Sequence, residues 1–402
     1  MSPFRLSSEL AIARRIVVKI GSALLVDDPV EHPGDHLGDH PVDHPVDHSG
    51  SDIRRAWLAA LAEDIASLKT GGRDVVIVSS GAIAAGRRQL GLPAGRLRLD
   101  EKQAAAATGM IRLAHAYQEA LARFDITVAQ VLLTLDDSEH RRRYINARAT
   151  LTTLLRRGAV PLINENDTVA TDEIRFGDND RLSARVAAMV SADTLVLLSD
   201  IDGLYTADPR KDPAARLVPE VREITPEIEA MADHTHPGYG TGGMITKLEA
   251  ARIALAAGCR MVIAPGAGLH PLARIADGGT CTWFLPAQTP GAARKRWIFG
   301  TLKPAGALVV DAGAVSALAR GKSLLPAGVT AVEGDFEKGA AVVIKTGDGA
   351  ILGRGLVGYG AADARRIIGH KTREIEDRLG YRGREELVHR DDLALETRRA
   401  KR

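Results

Sequence analysis

The feature that most constrains this chain is a repeated alternation. Short apolar runs at 15–20, 74–79, 126–133, 159–163, 194–198 and 261–264 are each set apart by stretches of helical spacing. A run such as DVVIVS has no polar alternation, so both of its faces must be buried. Strands of that kind separated by helices predict βαβ units, a mainly parallel sheet and helices on both of its faces. The expected architecture is therefore an α/β three-layer αβα sandwich. In such sheets ligands bind beyond the carboxyl ends of the strands.

Two other regions differ in texture. Residues 31–50 repeat a His-x-x-Asp unit, with histidines at 32, 36, 40, 44 and 48. A His-rich tract can bind metal, but the interspersed Gly and Pro oppose a helix that would align the rings, and a disordered insertion fits the composition. Residues 286–304 are rich in Pro, Gly and Arg and read as a linker. Beyond it, closely spaced glycines punctuate short strand candidates, the pattern of a small β-barrel-like domain at 305–380. The last residues, 381–402, read as a charged tail. The larger domain is expected at 1–285.

Composition excludes several classes. The net charge is only +2, so no global field points to nucleic acid or a membrane surface. No run of 18 apolar residues is present and the first residues lack an apolar signal core, which predicts a cytoplasmic protein. Cys259 and Cys281 are too few for a disulfide framework and read as reduced.

Polar motifs sit where the strands end. Lys19-Ile20-Gly21-Ser22 places a compact cation and a glycine at the end of the first run, although a surface lysine beside a turn has the same sequence. Ser79-Ser80-Gly81 marks a strand turning into a helix, which suits either an anion site or a plain cap. Residues 163–180, INENDTVATDEIRFGDND, concentrate Asn, Asp and Glu beyond what a capped loop needs. Such side chains can hold the ammonium and orient the carboxylates of an amino acid. Ser199-Asp200, followed by Asp202-Gly203-Leu204-Tyr205, occupies the next strand end, and Thr241–Lys247 is a glycine-rich loop that delivers a lysine into a helix. Two familiar phosphate motifs fail on context. Arg320-Gly321-Lys322-Ser323 lacks the leading glycine of a P-loop, and the G-x-G-x-x-G at 238–243 follows His-Pro rather than a strand.

Taken in order, VVKIGS, VSSGAIAAG, INENDTVAT, FGDND, LLSDIDGLYTADPR and GTGGMITK resemble the glutamate 5-kinase branch of the amino acid kinase family. The region 306–369 is similar to a PUA domain. This resemblance implies transfer of a phosphoryl group from ATP, with Mg²⁺, to the side-chain carboxylate of L-glutamate, the first step of proline synthesis. It implies that Ser80, Asp167 and Asn179 bind glutamate with Asp178 close by. It assigns ATP to Lys19, Gly21, Ser199, Asp200, Thr241, Gly242, Gly243, Met244, Ile245, Thr246 and Lys247. Lys19 and Lys247 would flank the transferring group, oriented by Asp180. The metal is expected through the ATP phosphates rather than through direct protein ligands. A homo-oligomer, transfer of the product to glutamyl phosphate reductase and feedback inhibition by proline are implied in the same way. PUA domains elsewhere bind RNA; here Arg294, Lys295, Arg296, Arg320 and Lys322 give local charge, but the near-neutral balance argues against it. A carboxylate acceptor is already ionised at neutral pH, so the chemistry requires positioning and positive charge but no general base.

Overall fold

The computed structural model describes residues 8–26, 53–93, 95, 97–169, 178–233, 243–300 and 303–396. The His-x-x-Asp segment, Thr241, Gly242 and residues 397–402 lie outside the described residues, as does the side chain of Asp178. The chain divides into two units: Met1–Glu139 with Ala147–Pro290, and His140–Asn146 with Gly291–Arg402.

In the first unit the chain runs α1 (Ser8–Ala11), β1 (Arg15–Ile20), α2 (Ser22–Leu25), α3 (Arg55–Thr70), β2 (Asp74–Ser79), α4 (Ala82–Arg87), α5 (Leu99–Ala122), β3 (Val128–Leu133) and α6 (Leu135–Glu139). It continues with α7 (Arg141–Arg156), whose first residues belong to the second unit, then β4 (Val160–Glu165), α8 (Asp178–Val190), β5 (Thr194–Ser199), β6 (Glu220–Val221), α9 (Pro226–Asp233), α10 (Met244–Ala256), β7 (Arg260–Pro265), α11 (Pro271–Ala276) and β8 (Thr282–Phe284). The sheet order is β3-β4-β2-β1-β5-β7-β8-β6. Every pairing in it is parallel except β7 with β8. All six expected apolar runs lie in this sheet, and β5 is buried along its whole length, as a strand covered on both faces must be. The two strands absent from the sequence reading, β6 and β8, span two and three residues, too short to show a period.

The strand order places β1 between β2 and β5, so the chain leaves β1 to one side and returns on the other. Connections diverge at that point and leave a crevice at the carboxyl ends. Register aligns the ends: Ile20 is opposite both Ser79 and Leu198, and Ser199 is opposite Pro265. Backbone bonds continue past the strands, from Ser80 N to Ile20 O and from Gly21 N to Leu198 O.

Helix α4 follows β2 through Gly81, whose φ of 93° is a left-handed conformation that a Cβ would strain. It then crosses α5 with backbone nearly touching backbone. A Cβ built on Gly86 would lie 1.9 Å from Ala105 O, and one on Gly109 would lie 1.9 Å from Ala82 O. Leu113, Ala116, Tyr117 and Leu121 of α5 are buried in the main core with Leu58, Leu61 and Ile65 of α3.

The second unit holds α12 (Pro290–Gly300), β9 (Gly306–Val310), α13 (Ala312–Ala319), β10 (Val329–Gly334), β11 (Ala341–Thr346), β12 (Ile351–Val357), α14 (Ala361–Ile367), α15 (Ile375–Leu379) and β13 (Val388–Leu395). Its sheet runs β10-β9-β11-β12-β13 over a separate core that includes Leu308, Ile344, Val357 and Ile367. Two expectations are corrected here. The Pro-, Gly- and Arg-rich stretch is not an open linker, because most of it forms α12. Within that helix Arg294 is buried and donates to the Asp392 carboxylate and the Tyr144 hydroxyl, so its charge is neutralised rather than displayed. The charged tail contains β13, paired antiparallel with β12.

The α4–α5 crossing generates a prediction. Gly109→Ala should lower the unfolding free energy by about 1–3 kcal/mol, since the backbones must part to admit a methyl group. The urea midpoint measures it, and a change below about 0.5 kcal/mol would show that the crossing tolerates a side chain.

Candidate active site

Three elements far apart in sequence meet at the mouth of the crevice. Lys19 is the penultimate residue of β1, Asp180 lies in the first turn of α8, and Lys247 lies in the first turn of α10. The Lys19 Nζ is 2.7 Å from Asp180 Oδ1, and the Lys247 Nζ is 3.4 Å from Oδ2. Asp180 is fully buried and Lys247 is 2% exposed. Thr246 adds a hydroxyl bond of 3.1 Å to Oδ2 and also donates to Gly243 O.

The charges are shaped by this burial. Loss of solvent works against an ionised Asp180, yet the Lys19 and Lys247 ammonium groups hold its carboxyl below the ordinary carboxylate range. Burial also pulls the Lys247 ammonium below its ordinary value, Lys19 repels it further, and Asp180 and Asp200 act in the opposite direction. One carboxylate between two cations leaves an excess of one positive charge in a water-poor place.

Next to it, where β2 turns into α4, Asn179 Nδ2 donates to Ser80 Oγ at 2.8 Å. The Ser80 hydroxyl proton is therefore left to point at another acceptor. Asn179 Oδ1 is buried and has no hydrogen-bond partner among the described residues. A buried acceptor of that kind is costly and calls for a donor. Asp167 lies just beyond β4, 9% exposed, and burial pushes its carboxyl up to about 6 against a hydrogen bond from its own backbone. On the other side of β1, Ser199 Oγ donates to Asp200 Oδ1 at 2.7 Å at the end of β5. Leu204, Tyr205 and Arg210 of the following loop, with Met231 of α9 and Met244 of α10, line a cavity of about 260 Å³.

Most residues singled out from sequence are thus gathered at one edge. Lys19, Asp180, Thr246 and Lys247 form one cluster, Ser80 and Asn179 a second, and Ser199 and Asp200 a third. Gly21, Gly243, Met244 and Ile245 lie at the termini of the same elements. Other contributors carry no motif. The Trp57 indole donates to Gly266 O at 2.8 Å, and Gly266 N donates to Ser199 O at 2.7 Å, which ties α3 to the end of β5. Arg185 of α8 holds Ser138 and Glu139 of α6. Nothing local announces such bonds; only a buried Trp with a donor to satisfy gave a signal. Among the described residues no three His, Cys, Asp or Glu side chains gather as a metal cage.

Residues 14–265 match the model of the amino acid kinase family, and residues 306–379 match the PUA domain. The chain is a member of the amino acid kinase family with a PUA domain. Among curated proteins, glutamate 5-kinase of Paramagnetospirillum magneticum is 64% identical over 97% of this chain and 100% of its own length. Glutamate 5-kinase of Rhodospirillum rubrum is 60% identical over 95% of this chain and 96% of its own, and that of Gluconobacter oxydans 56% over 96% and 97%. The chain belongs to the glutamate 5-kinases.

A stability test follows from the buried triad. Asp180→Asn leaves two cations facing each other without a counter-charge. The unliganded protein should lose about 3–5 kcal/mol of unfolding free energy. Urea denaturation checks this, and an unchanged midpoint would mean that the lysines are neutral or solvated.

Proposed function

We propose that the chain transfers the γ-phosphoryl group of ATP to the side-chain carboxylate of L-glutamate, giving L-glutamyl 5-phosphate and ADP, as the first step of proline synthesis. Family membership supports the reaction class. The observation that carries the mechanism is the pair of lysines drawn together by Asp180 at the sheet's switch point. A carboxylate oxygen attacks the γ-phosphorus while the bond from that phosphorus to the β–γ bridging oxygen breaks, and ADP leaves with the electron pair. Both reactants are anions, so the barrier is their mutual repulsion and the charge that builds on the transferring oxygens.

Lys19 and Lys247 oppose that charge from fixed positions. Asp180 orients both ammonium groups. Held ionised between them, it is a poor base, and the acceptor needs none. Ser80 donates its free hydroxyl proton to the acceptor. Asn179 Oδ1 and the Asp167 carboxylate bind the α-ammonium, which satisfies a buried acceptor and a buried charge together. Ser199, Asp200 and the 260 Å³ cavity beside them take the nucleotide, with the first turn of α10 facing its phosphates. Magnesium is expected to come with the nucleotide phosphates. When bound it neutralises part of the phosphate charge. The acyl phosphate product is labile in water, which fits its delivery to a reductase such as glutamyl phosphate reductase.

The direct test is a panel of acceptors: L-glutamate, aspartate and acetylglutamate, with ADP release as the readout. Turnover with glutamate far above the others supports the reading, and preference for another acceptor overturns it. Lys19→Ala or Lys247→Ala should lower kcat on the order of a hundredfold or more, as for loss of one transition-state donor. Near-normal turnover in either variant would remove that lysine from the mechanism.

Asp167 adds a pH dependence of definite sign. Its carboxyl is pushed up to about 6, so it gains a proton as pH falls through that value and loses its hold on the ammonium. The KM for glutamate should rise below pH 6, approaching about tenfold per pH unit, while the KM for ATP stays flat. Asp167→Asn should have a raised KM and no such slope; a slope that survives in this variant belongs to another group.

A further inference from the structure

The hydroxyl of Tyr117 is fully buried in the core under the β2–α4 turn, 1% exposed with its residue, and 3.2 Å from the Ser79 hydroxyl. A phenol so placed is more than apolar filling, because its O–H needs a partner. Ser79 is likewise buried, and its single proton is committed: Ser79 Oγ donates to Ser80 O at 3.1 Å. With the Ser79 proton on Ser80 O, the Tyr117 hydroxyl is the donor in the bond that the two side chains share. A directed chain results, from Tyr117 O–H to Ser79 Oγ and from Ser79 O–H to the carbonyl of Ser80. Burial raises the Tyr117 phenol well above its ordinary value, so the donor stays protonated at any physiological pH.

Two more contacts fasten the same turn to α5. Arg112 Nη1 donates to Ala85 O in α4 at 2.7 Å, and the Gly86–Gly109 crossing sets the closeness of the helices. From the other direction, Ser80 N is bonded to Ile20 O beside Lys19, and Ser80 Oγ accepts from Asn179. The peptide of Ser80 is therefore held at its N–H, its carbonyl and its side chain at once. Only the carbonyl tether originates in a residue remote from every sequence motif.

We propose that Tyr117, acting through Ser79, is a positioning residue for the amino acid acceptor: it fixes the Ser80 carbonyl and so the direction of the Ser80 hydroxyl. This rests on the reading of Ser80 as an acceptor ligand. Tyr117→Phe keeps the ring and its packing but removes the donor. Ser79 Oγ then loses the bond that orients it, and the hydroxyl that holds the Ser80 carbonyl is less firmly placed. The consequence is expected on one substrate, because Ser80 is read as a ligand of the acceptor and not of ATP.

Steady-state kinetics of the full chain test it, with glutamate and ATP varied in turn. Tyr117→Phe and Ser79→Ala should each raise the KM for glutamate about 3–10-fold, the size of one hydrogen bond, with the KM for ATP and kcat within about twofold. The double variant should be no worse than the more affected single one, because both act through one path. If Tyr117→Phe does not fold, Ser79→Ala carries the same readout. Equal rises in both KM values, a fall in kcat alone, or additive effects in the double variant would overturn the proposal as a general loosening of the fold. Ser80→Ala separates the two levels. If it raises the glutamate KM while Tyr117→Phe leaves it unchanged, the positioning role fails and the reading of Ser80 stands. If Ser80→Ala leaves the glutamate KM unchanged, both fail together.

Discussion

Asp180 is enclosed on all sides and holds two ammonium groups that would otherwise repel each other. The two cations come from positions 19 and 247, and the anion between them from the first turn of a third element. An ion buried without a counter-ion costs several kcal/mol, so the three side chains are mutually dependent. The backbone follows from that need. Lys19 must be at the end of a central strand, because only there do helices from both sides of the chain reversal converge. α8 and α10 must start at the same edge, and they pack against each other as they leave it. The parallel sheet is the means by which segments more than two hundred residues apart in sequence are brought within bonding distance.

The scaffold under this cluster is stiff where stiffness is useful. β1 pairs with both neighbours along its length, and the ends of β1, β2 and β5 are joined by backbone bonds past the last residue of each strand. Where the chain must turn sharply it uses Gly81 in a left-handed conformation, and where helices must approach closely it uses Gly86 and Gly109. Preorganisation of this kind removes the cost of arranging charges at the moment of reaction. Buried ties behind the crevice, such as the Trp57 indole on Gly266 O, serve the same stiffness.

The sequence displays what is local and hides what is not. β2 and β5 were legible because a strand buried on both faces is written as an unbroken apolar run. The positions of Lys19, Ser80 and Ser199 could be read because they stand at or just past the ends of such runs. β13 was hidden: VHRDDLAL carries His, Arg and two Asp in succession, as suits the edge strand that it is, and composition alone makes it resemble a tail. Arg294 was misplaced for a related reason. In AARKR it looks like one more exposed cation, and its partner Asp392 lies 98 residues away. The stretch of helical spacing between the runs at 126–133 and 159–163 carries no mark strong enough to show the break between α6 and α7 at His140. Pairwise contacts between distant polar residues, such as Asn179 with Ser80, follow from the strand order and not from any periodicity.

The arrangement around Asp180 also orders the demands of the site. Two lysines and one carboxylate leave a net positive charge, while Asn179 Oδ1 has no donor among the described residues and the Asp167 carboxylate is buried just beyond β4. The unliganded site is therefore unsatisfied in two opposite senses a few residues apart in sequence, Asn179 adjoining Asp180. On the proposed reading an amino acid with a second carboxylate meets both, with its ammonium at one end and its acceptor oxygen at the other. A nucleotide phosphate meets only the first. On the proposed reading, acceptor specificity is set by the distance between these two deficits. The phosphate end supplies reactivity, and the separation of ammonium from carboxylate in the acceptor decides whether reactivity is brought to bear.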